Sequence, residues 1–506
     1  MANSLLNGMK AVSNYTLTEN GGITHKTTNS DLLDMFAMGA AMRKRSDEDV
    51  ILMFQKAFQE DANLAMKMLF YIRDVRGGQG ERRFFRVVMK WAASNKEMRE
   101  SVRKNIQYFP EFGRWDDLYC LAGTPLERDA FAFMKEQLAL DVQCKTPSLL
   151  AKWLKSENAS SGETKRLADA TRRYLGMTHR EYRKTLSILR ARINVLEVLM
   201  SANRWDEIEF DKIPSKAGLI YKNAFARRDI IKAKYEKFAK DENTKVNAAT
   251  LYPYEVVEKA IQLMRSGYWG GHNVALDNVD RLMINKYWDN LTDYFNGAKL
   301  NALCMVDTSG SMSGTPINVA TALGLYCAER AGGPFANHYI SFSSRPQLIE
   351  TAGVDFCDKV DRIVRTNLCE NTNIEAAFDM VLHTALANRV PQKDLPEYIL
   401  VISDMEFDSA TGNYWRRTGS GMTEANAETV METIERKWNE RGYQMPKLIY
   451  WNVDARQSNI PMIGNHRVSY VSGFSPSIFK SILTGKTGWD LMIEAICAER
   501  YECIHA

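Results

Sequence analysis

The segment LCMVDTSGSMSGTP, Leu303 to Pro316, decides how the chain is read. It begins as an unbroken apolar run, the mark of a strand buried on both faces of a sheet. It stops on an acid, Asp307, and passes through small hydroxyl residues and glycines into PINVATALGLYCAERA, whose apolar spacing is helical. Hydroxyls at alternate positions behind a strand-terminal carboxylate present their oxygens to one side of an extended loop. Asp307, Ser309 and Ser311 are hard donors, too few and too weakly charged to enclose an ion. Positions are left for water or an incoming acid, a pattern that suits Mg²⁺, with Mn²⁺ as the alternative.

Around this segment, residues 297–506 alternate short apolar runs with helical ones. HYISFSS, YILVISDM and KLIYWNV read as strands, and NIEAAFDMVLHTALAN and EANAETVMETIERKWNERG as helices. Such alternation predicts an α/β domain with a parallel, doubly wound sheet, whose ligands sit beyond the carboxyl ends of its strands. YILVIS ends on Asp404, so a second carboxylate is expected at the same edge as Asp307. With Mg²⁺ this pair could in principle activate water, with Glu406 and Asp408 close in sequence. No Lys, Glu or His otherwise stands near as a general base, and the expectation is a protein that is not an enzyme.

MVDTSGSMSG resembles the metal-ion-dependent adhesion site of the von Willebrand factor A fold, a Rossmann-like α/β domain. The resemblance implies a divalent cation held by Asp307, Ser309 and Ser311, by Thr372 in ENTNIEAAFD, and by Asp404 in ISDMEFD. It also implies that an acidic side chain of a protein ligand can complete the coordination.

The rest of the 506-residue chain is of a different kind. Residues 31–296 are helical nearly throughout, as in EDVILMFQKAFQED and RRFFRVVMKWAASN, with Gly and Pro at helix-stop positions. This predicts an all-α, HEAT-like solenoid or ring of stacked helix pairs, although no clean fixed-period repeat is found. Residues 1–30 alternate around a Gly-Gly turn and predict a hairpin or extended cover. No apolar run approaches the ~20 residues of a membrane span. No secretory signal is seen, and the eight cysteines are scattered without a CxxC pair. A cytoplasmic protein with reduced thiols, and no membrane partner, is expected.

Residues 1–300 hold 48 Lys and Arg against 38 Asp and Glu, while residues 301–506 hold 18 against 24. Either the basic half meets a polyanion or its charges are solvated helix faces. Two clusters carry the first reading. RDVRGGQGERRFFR places Arg73, Arg76, Arg82 and Arg83 about a glycine turn: a phosphate cradle, or a helix C-cap whose arginines pair with Asp74 and Glu81. Lys165, Arg166, Arg172, Arg173, His179, Arg180, Arg183 and Lys184 form the second, with Tyr174 and Tyr182 interleaved. Cations neutralise phosphates, and the rings stack on unpaired bases. Helical spacing spreads these residues over two faces, so only part of them can face one ligand. Trp115, Trp153 and Trp205 read as packing residues.

LFYIRDVRGGQGERRFFR, PEFGRWDDL and LLAKWLKSENASS are similar to a family of phage, plant and fungal proteins that join a helical region to a von Willebrand A domain. That family resembles the Ro (TROVE) RNA-binding proteins, whose helical repeats close into a ring around a basic hole. The resemblance implies a ribonucleoprotein role, with small noncoding or misfolded RNA as partner. A metal-dependent protein-interaction module, or a structural part of a phage particle, is the alternative.

Overall fold

The computed structural model describes residues 9 and 14–506 except 194, 249–250, 266–277, 343–344, 367–370, 411–416, 419–420, 423–427 and 464–466. The chain divides into two compact units, and neither is one continuous segment. Unit 1 contains residues 1–61 and 251–498; unit 2 contains 62–250 and 499–506. The linear division expected from sequence, 1–30, 31–296 and 297–506, therefore runs across both.

Unit 1 is built on a six-stranded sheet. Its hairpin strands are β1 (Tyr15–Leu17) and β2 (Ile23–His25). The sheet strands are β3 (Ala302–Asp307), β4 (His338–Phe342), β5 (Gln347–Glu350), β6 (Tyr398–Ser403), β9 (Lys447–Asn452) and β10 (Val468–Ser472). Between β6 and β9, β7 (Arg417–Thr418) and β8 (Gly421–Met422) form a separate ribbon. The sheet order is β10-β9-β6-β3-β4-β5, parallel except for β5, which pairs antiparallel with β4. The expected all-parallel sheet is thus mixed. β5 is a short edge strand whose exposed Gln347, Leu348 and Glu350 carry no buried-strand signature.

Every residue of β3 and β6 is buried, which is why their sequences are apolar without alternation. The helix Thr315–Arg330 packs on β3, β4 and β6, while Gly488–Ile496 packs on β10. The helix Asp31–Met38 lies on β9 and β10. Its Leu32, Asp34, Met35, Phe36, Ala37 and Met38 are all buried. A helix enclosed on so many sides belongs to a core, and this one was expected in the solenoid. Pro253–Arg265 likewise packs on Thr315–Arg330, and Asn278–Asp289 on Phe356–Thr366. The helical region expected over 31–296 therefore contributes both its ends to the α/β unit.

Unit 2 is all-α. Helices Ala62–Arg73, Arg83–Ser94 and Arg99–Asn105 pack in sequence, followed by Glu127–Gln143, on which Gly162–Leu175 and His179–Arg192 both rest. Ser215–Arg227 and Asp229–Lys240 pair further on. Contacts join helices near in the chain, as in stacked-helix arrays. Residues 499–506 are the exception. Tyr501 stacks on Phe112 at 5.4 Å and donates its hydroxyl to Asp74, and Arg500 pairs with Asp74 at 2.5 Å. Among the described residues no helix is long and apolar enough to cross a membrane.

Candidate cation site and basic surface

β3 and β6 are the adjacent strands at which the sheet order reverses, the switch point beyond whose carboxyl ends such sheets take their ligands. Asp307 closes β3, and Asp404 follows Ser403, the last residue of β6. Both carboxylates are buried. The Ser403 hydroxyl donates to Asp307 Oδ2 at 2.5 Å, and the Ser309 amide donates to Asp307 Oδ1 at 2.9 Å. Ser309 Oγ and Ser311 Oγ share a hydrogen bond of 3.0 Å, and Ser311 also bonds the Asp404 carboxylate. Four of the five predicted ligands are thus linked in a chain. Thr372, also buried, is tied instead to the loop after Asp404: its carbonyl accepts from the Asp408 amide at 3.0 Å.

Electrostatics follow from this placement. Burial first, and the Asp404 charge second, push the Asp307 carboxyl up to about 7. Burial raises Asp404 as well. Glu406, two residues on, is pushed to about 7 by burial, aided by Asp404 and Glu19. Two buried carboxylates, the charge of one raising the proton affinity of the other, ringed by hydroxyls, make a donor set of hard oxygens short of positive charge. That set fits Mg²⁺ or Mn²⁺. One cation already touches it: Arg456 Nη2 donates to Asp404 Oδ2 at 2.7 Å. Arg456 was not anticipated. Its only trace in the sequence is its position just beyond β9, a third strand end at the same edge.

The glycine-turn cluster is not a cradle. Its amides are spent internally: Gln79 N bonds Tyr71 O, Gly80 N bonds Asp74 O, Glu81 N bonds Ile72 O, and Arg83 N bonds Glu81 Oε1. Arg73 is 1% exposed and lies 2.7 Å from Asp117, so it reaches no surface ligand. Arg86 shares Asp117 and adds Asp116. Gly113 leaves room for this network, since a Cβ there would fall 2.2 Å from Asp117 Oδ2. Arg76 is exposed and donates to Glu111 O; Arg82 is exposed and Arg83 half-buried.

The second cluster divides by ion pairing, not by helix face. Arg172 is held by Glu157, Asp169 and Met177 O. Arg173 pairs with Asp169, and His179 with Glu157. Tyr182 is buried with its hydroxyl on Lys155 O, and Tyr174 lies tilted against Phe131, so the expected base platforms are packing residues. Two of the tryptophans behave as read: Trp115 stacks on Phe133, and Trp205 is buried under Arg228, whereas Trp153 is half-buried with Arg114 over its ring. Lys165, Arg166, Arg180, Arg183 and Lys184 are exposed, and none has an ion-pair partner among the described residues. Arg180, Arg183 and Lys184 follow three- and four-residue spacing, opposite the buried Tyr182, Leu186 and Leu189.

These features define a class: a helical unit with a cationic face, and a doubly wound α/β unit with a two-acid site at its strand switch. The chain belongs to the DUF2828 family, a domain of unknown function whose model matches residues 18–119 and 138–296. A second model, the domain of unknown function DUF7788, matches residues 301–500. "Uncharacterized protein L728" of Acanthamoeba polyphaga mimivirus is 30% identical, over 94% of this chain and 86% of the relative. Among solved structures, the Ro (RSR) protein of Deinococcus radiodurans is similar at 14% identity and a TM-score of 0.48. That match covers 94% of this chain and all of the other.

Proposed function

We propose that the protein binds RNA, without catalysis, through phosphate contacts on the face formed by Lys165, Arg166, Arg180, Arg183 and Lys184. In this reading the α/β unit holds a divalent cation, Mg²⁺ or Mn²⁺, at Asp307, Ser309, Ser311, Thr372 and Asp404. The observation that carries it is the separation of the basic stretch into two sets. Arg172, Arg173 and His179 each pair with a carboxylate, whereas the five others, exposed on two helices that share one support, Glu127–Gln143, have no ion-pair partner among the described residues. Cations kept unpaired on a folded surface are what a polyanion requires. With Tyr182 buried and Tyr174 tilted against Phe131, recognition falls on the backbone and shape of a small or structured RNA rather than on stacked bases.

The test is filter binding of a structured RNA at several salt concentrations. Each neutralised phosphate contributes roughly 0.7 to the slope of log affinity on log salt for single strands. Replacing all five cations by Ala should therefore flatten the slope by up to about 3.5. Replacing Arg172 instead, which is 13% exposed and held by Glu157 and Asp169, should leave it nearly unchanged. Equal slopes for wild type and the five-fold variant would refute this reading. Asp307→Ala should spare RNA affinity, which separates the two sites.

A further inference from the structure

The turn between β1 and β2, Thr18 to Gly22, is tied to the loops of the cation site. The Thr18 hydroxyl donates to Phe407 O at 2.6 Å, and the Glu19 amide to Glu406 Oε2 at 2.7 Å. Asn20 Nδ2 reaches both Glu406 O, at 2.6 Å, and Thr372 Oγ1, at 3.3 Å. The Ser409 hydroxyl donates to Gly21 O at 2.8 Å. At Gly22 the backbones approach so closely that a Cβ would fall 2.4 Å from Phe407 O, which only glycine permits. The Gly-Gly turn is therefore fitted to this site.

That fit carries a charge to the site. Arg456 bridges two carboxylates: Nη2 on Asp404 Oδ2 at 2.7 Å and Nη1 on Glu19 Oε2 at 2.9 Å. Beside them Glu406 is fully buried, and its Oε1 has no hydrogen-bond partner among the described residues. Asp307, Asp404, Glu406 and Glu19 thus converge with one guanidinium among them. An acceptor buried without a donor, beside a cation shared between two acids, marks a place short of positive charge.

We propose that Glu19 is an accessory acidic residue of the cation site, delivered by the chain's own hairpin, and that the Arg456 guanidinium stands in for the ion. A divalent cation entering at Asp307 and Asp404 replaces the guanidinium as the positive charge that Asp404 and Glu19 share. The position that an acidic partner would fill from outside is then met from within. This inference rests on the reading of Asp307 and Asp404 as a cation site.

Mn²⁺ is the probe, titrated into the full chain with unbound Mn²⁺ counted by electron paramagnetic resonance. Asp307→Asn should abolish binding. Glu19→Gln should weaken affinity about tenfold, in the range by which supporting carboxylates tune metal sites. Arg456→Gln, which removes the competing charge, should strengthen it. The Glu19 side chain is 38% exposed, so its replacement leaves the core intact. Hydrogen exchange of the residue 18–22 amides should slow on adding Mn²⁺ to wild type, and not to Glu19→Gln. If Asp307→Asn binds like wild type, the cation-site reading fails. If Asp307→Asn loses Mn²⁺ while Glu19→Gln keeps wild-type affinity, the accessory role of Glu19 alone is overturned. If Arg456→Gln weakens binding, the guanidinium supports the site rather than standing in for the ion.

Discussion

Asp117→Ala should be among the most damaging single substitutions in unit 2. The Asp117 side chain is fully buried and bonds Arg73 Nε at 2.8 Å and Arg86 Nε at 2.6 Å. It also accepts from the Arg114 amide at 2.9 Å, capping the turn Trp115–Leu121. Removing it strands the Arg73 guanidinium, 1% exposed, without its counter-charge. Breaking a buried pair by deleting one partner costs about 3–5 kcal/mol, and losing a cap about 1 kcal/mol more. At about 2–4 °C per kcal/mol for a unit of this size, the transition should fall by roughly 10–20 °C. Differential scanning calorimetry on the full chain, with hydrogen exchange over residues 62–121, locates the loss in unit 2. Arg82→Ala, on an exposed neighbour, should stay within about 0.5 kcal/mol of wild type. A shift under about 2 °C for Asp117→Ala would mean that water or relaxation satisfies Arg73, and would return it to the candidates for ligand contact.

Tyr501→Ala removes the ring stacked on Phe112 and the hydroxyl on Asp74, and should cost about 3–5 kcal/mol, seen as lost protection over the same helices. In EDTA the stability of unit 1 should fall as pH rises from 5 to 8. Glu406 has its pKa raised from 4.5 to about 7, so its stabilising, protonated form is fully present below about 4.5 and lost through 7. Asp307 acts in the same direction from 3.8. Melting curves that improve over that range would contradict the placement of these acids. Added Mg²⁺ should raise the melting temperature more at pH 8 than at pH 5, because the ion takes the deprotonated carboxylates. Gly22→Ala should displace the hairpin turn from Phe407 and speed amide exchange at residues 18–22, with unit 2 unaffected.

What was legible in the sequence depended on how far away each residue's partner lies. Asp307 and Asp404 could be placed together because a fully buried parallel strand announces itself by composition, and its end must lie at the ligand edge. Arg180, Arg183 and Lys184 were legible in part, since helical spacing already separates them from Tyr182, Leu186 and Leu189. Arg73 was misread for the opposite reason. Its neighbours Asp74 and Glu81 looked like its partners, whereas Asp117 is 44 positions away in another helix. The helix Asp31–Met38 has ordinary amphipathic spacing, and periodicity says that a face is buried without saying against what. Arg456 and Glu19 carry no pattern of their own, because their meeting depends on how the hairpin is seated.

The interleaving of the two units bears on how the chain is made. Unit 2 takes in residues 62–250 and then waits for 499–506, which supply the ring on Phe112 and both side-chain donors to the Asp74 carboxylate, Arg500 and Tyr501. At about 5–20 residues per second, a ribosome needs roughly 12–50 s to add the intervening stretch. Throughout that interval Phe112 and Asp74 are without their cover, an apolar ring and a carboxylate that the finished unit encloses. Most of the helical unit is translated early, but it is completed late, and a nascent chain stalled in the α/β unit would present that gap to chaperones and proteases.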